Sequence, residues 1–164
     1  LSQKIAAIAP VTANLAKVHD GKRPQHAVGL LVINGTKDPL VPYAGGEVRV
    51  LGKSRGKIHS TDESLRRWAA FNGCAPTITT QPLPDVAKGD GARAYVHTWS
   101  GCKGGAGVEL IRVQGGGHTW PGGTQYLPKL VIGTVCRDFD AVKRSFDFFA
   151  RHRRVIRPAP KAAK

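Results

Sequence analysis

The run from Ala27 to Ile33 holds seven consecutive residues without a polar side chain and without alternation. A strand with one wetted face alternates in character, so an unbroken apolar run of this length reads as a strand buried on both faces. That is the situation of a parallel sheet with helices packed on either side. The run ends directly in Asn34-Gly35-Thr36-Lys37-Asp38-Pro39, a turn-forming segment at the strand's C-terminal end. In open α/β sheets this edge is where ligands and reactive side chains gather. The fold class expected from this feature is α/β, a parallel sheet with flanking helices.

The rest of the chain fits around that strand. Leu1 to Lys4 reads as the end of a helix and Ile5 to Val11 as a second short buried strand. Residues 14 to 26 and the Gly-containing stretch Tyr43 to Lys57 have loop composition. Ser60-x-x-Glu63 predicts a capping box, in which each of the two side chains satisfies a free backbone donor of the other residue. The helix behind it places Leu65, Trp68, Ala69 and Asn72 on one face and stops at Gly73. Thr77 to Gln81, Ala94 to Trp99 and Val108 to Val113 read as strands of a small antiparallel insertion, with Gly101 to Gly107 as a hairpin connection. Asp138 or Asp140 caps a last helix running to about Arg151, whose inward stripe is expected to be Phe139, Val142, Phe146 and Phe149.

Composition excludes several classes. At 164 residues with 41% hydrophobic content the chain suffices for one domain with a real core, not a disordered polymer. No apolar run reaches the roughly 18 residues of a membrane helix, so no membrane span is expected. The net charge is +14, from 25 Lys and Arg against 11 Asp and Glu, and six of the basic residues lie in 151–164. Residues 153–164 read as a basic, disordered tail appended to a body of 1–152. Such charge favours anionic surfaces, but no zinc-finger spacing, aromatic RNA-binding signature or basic zipper points to a specific nucleic acid. The three cysteines, Cys74, Cys102 and Cys136, form no CxxC pair. His19, His26, His59, His97 and His152 share no ligand spacing, so neither a metal nor any other cofactor is expected.

Two residues stand where chemistry would be placed. Asp38 follows the buried strand, and His118 follows the strand ending at Val113 after three glycines, Gly115 to Gly117. A carboxylate that orients an imidazole serving as general base is two thirds of a Ser-His-Asp arrangement, and acid before histidine is the order of α/β-hydrolases. Gly52-Lys53-Ser54-Arg55-Gly56 matches the nucleophile-elbow pattern letter for letter. It lacks a buried strand before it and a directly following helix, and it comes after the acid, so Ser54 reads as a residue of a basic surface loop. Trp120 lines a pocket or packs against the glycine-rich turn, and Tyr43 has the same two readings.

Asn34 to Tyr43 (NGTKDPLVPY) and Gly115 to Gly123 (GGGHTWPGG) resemble the acid and histidine motifs of one α/β-hydrolase family, the poly(3-hydroxybutyrate) depolymerases with related feruloyl and acetylxylan esterases. The likeness extends through Arg67 to Cys74, Ser100-Gly101-Cys102 and Arg137 to Ala141, covering nearly all of the chain except the tail. It implies that Asp38 is the triad acid and His118 its base. It also implies an ester substrate, a disulfide between Cys74 and Cys102, and secretion or a periplasmic location. The family's nucleophilic serine and oxyanion donors come before its counterpart of Ile5 to Val11. The resemblance therefore implies that residues 1–152 are the C-terminal portion of one α/β-hydrolase domain, partnered by an N-terminal half. Two alternatives stand beside the esterase: an inactive fragment or one part of a split enzyme, and a basic module binding anions or nucleic acid.

Overall fold

A computed structural model describes residues 1–153; residues 154–164, which hold nearly all of the expected tail, lie outside the described residues. A five-stranded sheet is built from β1 (Ala7–Ile8), β2 (Gly29–Gly35), β5 (Ile78–Pro82), β6 (Arg93–Trp99) and β7 (Val108–Gln114). Their spatial order is β1-β2-β7-β6-β5. β1, β2 and β7 run parallel, whereas β6 pairs antiparallel with β7 and β5 antiparallel with β6. The antiparallel strands thus extend the main sheet. The mixed sheet and its flanking helices are compatible with an α/β fold.

β2 is buried along its whole length because both of its faces are covered. Leu30 and Val32 pack with Leu65 and Ala69 of α1 (Thr61–Phe71) on one face. Leu31 and Ile33 pack with Ala141 and Phe148 of α3 (Ala141–Arg151) on the other, the one-turn α2 (Lys129–Ile132) preceding α3 in the chain. This explains the missing alternation: each successive side chain enters a different core. Asn72, fully buried behind α1, locks that helix to the strand entrance by accepting from Val28 N–H at 3.2 Å and donating to Val28 C=O at 2.8 Å.

Three local expectations need correction. Ser60 does cap α1, its Oγ accepting from Glu63 N–H at 3.1 Å. The reciprocal half of the box is not made, because the Glu63 carboxylate turns outward to Arg67 at 2.6 Å and to Arg66. Within the stretch read as a loop, β3 (Gly46–Val50) and β4 (Lys53–Ile58) form an antiparallel hairpin. Its turn, Leu51-Gly52, has φ of 51° and 77°, the doubly positive geometry that suits the twist of a two-residue hairpin. Leucine is a poor signal for that turn, which hid the hairpin. The third correction concerns half of the stripe expected for α3: Phe139 and Phe149 pack against the core, but Val142 and Phe146 do not. The buried residues of α3 are Ala141, Ser145 and Phe148, while Val142 and Phe146 are 46% and 67% exposed. Ser145 hides its hydroxyl by donating to Ala141 C=O at 2.7 Å, so a polar residue occupies the packed face.

Cys136 is fully buried in the α3-side core, where burial pushes its thiol up to about 12. Its Sγ–H reaches the Asp138 carboxylate at 3.7 Å. The thiolate is the reactive form. Native chain at pH 8 is therefore expected to leave Cys136 unmodified by iodoacetamide, with one modification appearing on unfolding in urea. Mass spectrometry of the two samples checks this.

Candidate active site

Two strand ends meet here. Thr36 N–H donates to Val113 C=O and Lys37 N–H to Gly116 C=O, each at 2.9 Å, and Gly115 N–H donates to Thr36 Oγ1 at 3.0 Å. The loops that follow β2 and β7 are thus stitched together by main chain. Glycine at position 35 is required by this approach: a Cβ there would stand 2.3 Å from Gly116 O.

The stitching brings Asp38 and His118 together across 80 residues of sequence, with His118 Nδ1 2.9 Å from Asp38 Oδ2. The other carboxylate oxygen, Oδ1, accepts from Leu40 N–H and Val41 N–H, both at 2.8 Å. The Asp38 side chain is 3% exposed, whereas that of His118 is 26% exposed. An ionised Asp38 accepts only, so Nδ1 carries the proton and the neutral ring's lone pair lies at Nε2. Among the described residues Nε2 makes no hydrogen bond. The arrangement is a fixed carboxylate holding an imidazole whose basic nitrogen is available.

His118 is held at both ends of its own peptide unit. Its N–H donates to Ile132 C=O at 2.6 Å, and its C=O accepts from Tyr126 Oη at 2.9 Å. Thr119 Oγ1 donates to Thr134 C=O at 3.0 Å. Tyr126, which holds the His118 carbonyl, is a residue that sequence reasoning missed. It lies in a Gly- and Pro-rich stretch with no periodicity, and no spacing rule selects it.

The remaining candidates scatter. Trp120 sits two residues beyond the histidine and is 45% exposed. Tyr43 is not brought to the dyad; its hydroxyl donates to Asp62 at 3.0 Å on the α1 side of the sheet, where burial raises its pKa. Ser54 is exposed on β4, in a hairpin and not at a strand-to-helix elbow; its Oγ accepts from Gly56 N–H at 3.4 Å and it also bonds Glu47. Cys74 and Cys102 are bonded, S–S 2.00 Å, joining the end of α1 to the turn after β6. Among the described residues no cluster of three or more His, Cys, Asp or Glu is placed to hold a metal.

No protein-family model matches the chain, and no solved structure matches it. It is 30% identical over 149 residues to Putative esterase NocK of Nocardia uniformis subsp. tsuyamanensis, spanning 87% of this chain and 43% of that protein. It is 34% identical over 121 residues to Feruloyl esterase B of Piromyces equi, spanning 72% of this chain and 21% of that protein. The chain thus covers less than half the length of either relative. Both of these similar proteins carry the name esterase.

Proposed function

We propose that the protein hydrolyses carboxylic esters through a Ser-His-Asp triad in which this chain supplies the acid, Asp38, and the base, His118. The observation that carries this reading is the 2.9 Å contact between Asp38 Oδ2 and His118 Nδ1, with Oδ1 held by two backbone donors. The nucleophile is a serine outside these 164 residues, in an N-terminal half of the same domain. One surface supports a larger domain: among the described residues nothing covers Val142 and Phe146, which stand exposed on α3.

In this mechanism the serine Oγ attacks the ester carbonyl while His118 Nε2 takes its proton. The imidazolium so formed is stabilised by Asp38, and its proton passes to the departing alkoxide. Water, deprotonated by the same Nε2, then cleaves the acyl-serine to free acid. No step calls on a cofactor. The substrate class is a polyester of the hydroxybutyrate kind or a feruloylated or acetylated carbohydrate, the name of the feruloyl esterase relative favouring the latter. The Cys74–Cys102 bond supports a secreted or periplasmic setting. Among the described residues no helix is long and apolar enough to cross a membrane.

The test is labelling with a fluorophosphonate, which marks only an activated serine. The 164-residue chain is expected to stay unlabelled, Ser54→Ala to behave identically, and the whole protein to label once, at a serine upstream of Leu1. Stoichiometric labelling of the chain that disappears in Ser54→Ala overturns the reading.

A further inference from the structure

A cavity of about 630 Å³ opens between α1 and the β7-β6-β5 part of the sheet. Its walls include Ala69, Pro76, Ile78, Trp99 and Leu110, and neither Asp38 nor His118 lines it. Set into this apolar surround are Arg112, His97, Tyr43, Asp62 and Arg66.

Arg112 is the anomaly. On β7, Val108, Leu110 and Arg112 share the α1-facing side of the strand, so the residue after two core positions is a guanidinium. It is half-buried, its Nε is fully buried without a partner, and among the described residues it forms no ion pair or hydrogen bond. The nearby acceptors do not pair with it. Asn34, opposite it on β2, accepts from Ala13 N–H through Oδ1 at 3.1 Å. Asp62 takes the Tyr43 hydroxyl on Oδ1 at 3.0 Å and makes no ion pair with Arg112. Arg66, at the rim, is neutralised by Glu63. His97 uses Nδ1 on Thr80 Oγ1 at 2.9 Å, and its Nε2 is also buried without a partner. When the Thr80 hydroxyl donates to Nδ1, Nε2 carries a proton, so Arg112 Nε and His97 Nε2 are two buried donors without a partner behind the cavity wall, while Asp62 Oδ2, on an exposed side chain of the lining, pairs with neither.

An unmatched buried donor is costly. A guanidinium fork matches a carboxylate in plane and in spacing. We infer that this cavity is a binding site for an organic carboxylate with an apolar body, its carboxylate on Arg112 and His97 and its hydrocarbon or aryl portion against Ile78, Trp99 and Leu110. A monoanion suits the site better than a phosphate dianion because Asp62 shares the lining. The inference does not rest on the esterase reading, since none of these residues belongs to the dyad.

Isothermal titration of the purified chain with octanoate, 1-octanol and inorganic phosphate tests it. Octanoate is expected to bind at one site per chain, and octanol about 10-fold or more weaker, the loss of one charge-assisted contact. Arg112→Gln is expected to weaken octanoate by about 10-fold or more and to leave octanol unchanged. Ile78→Asp, at an edge position that is already 47% exposed, places a carboxylate in the apolar wall and is expected to abolish octanoate binding even if Arg112→Gln does not fold. Circular dichroism checks the fold of both variants. Absence of octanoate binding at millimolar concentration, or equal binding by wild type and the folded variants, overturns the inference. Phosphate binding tighter than octanoate and unaffected by Ile78→Asp overturns it in favour of a phosphate site.

Discussion

Asp38→Asn in the whole protein is expected to lower kcat for p-nitrophenyl acetate by about 10⁴-fold with little change in KM, the cost of holding a catalytic imidazole in the wrong tautomer. The backbone geometry dictates how the amide settles. Leu40 N–H and Val41 N–H both point at one side-chain oxygen, so the Asn carbonyl takes the place of Oδ1. The NH₂ group is then left facing His118 Nδ1, where Oδ2 had been an acceptor at 2.9 Å. Two N–H groups cannot face each other productively, so the ring moves its proton to Nε2. The nitrogen that must accept the serine proton then already carries one. Because the two backbone hydrogen bonds survive, the variant should unfold within about 1.5 kcal/mol of wild type, the worth of a single hydrogen bond. A steady-state assay with urea unfolding on the same preparations separates these effects. A rate within 10-fold of wild type would remove Asp38 from the catalytic machinery.

How much of this was legible beforehand follows from where each signal resides. β2 announced itself because burial on both faces leaves a run that only a covered strand tolerates. α1 was legible from Ser60, since the cap acts over three residues. Asp38 and His118 could be nominated singly from their positions after strands. Their contact depends on Thr36, Lys37, Gly35 and Gly116 stitching two loops from distant sequence, and no local pattern encodes that. The hairpin at Gly46–Ile58 was hidden by a leucine at positive φ. In α3 the rule that apolar side chains point inward held for Phe149 and failed for Val142 and Phe146, because Ala141 and Ser145 supply the close-packed face. The Arg112 cavity is a third kind of case. An arginine after two core residues reads as the solvated end of a strand until sheet register sets it beside β6 and its buried Nε is found without a partner.

The same stitching predicts a second large loss, far in character from a charge change. Gly117→Ala adds one methyl group beside the candidate base. A Cβ at this position would stand 2.1 Å from Ile132 O, 2.5 Å from Gly133 Cα and 2.7 Å from Gly133 C. All three are backbone atoms, so no side-chain rotation relieves the clash, and either the 132–133 segment or the histidine loop must move. That segment accepts the His118 N–H at Ile132 O, and the neighbouring Thr134 C=O accepts from Gly117 N–H at 2.9 Å. Displacement therefore passes directly to the imidazole. A shift of about 1 Å in a catalytic group costs on the order of 10² in rate, and overpacking of this kind costs about 1–3 kcal/mol of stability. Gly117→Ala in the whole protein is expected to show both losses. Gly89→Ala is the matched control, since a Cβ there meets no atom within 4 Å, and it should leave rate and stability unchanged. Parallel kinetics and urea titrations on the two variants decide the matter. If Gly117→Ala hydrolyses esters within 3-fold of wild type, the close approach of the 117 and 132–133 backbones does not position the base.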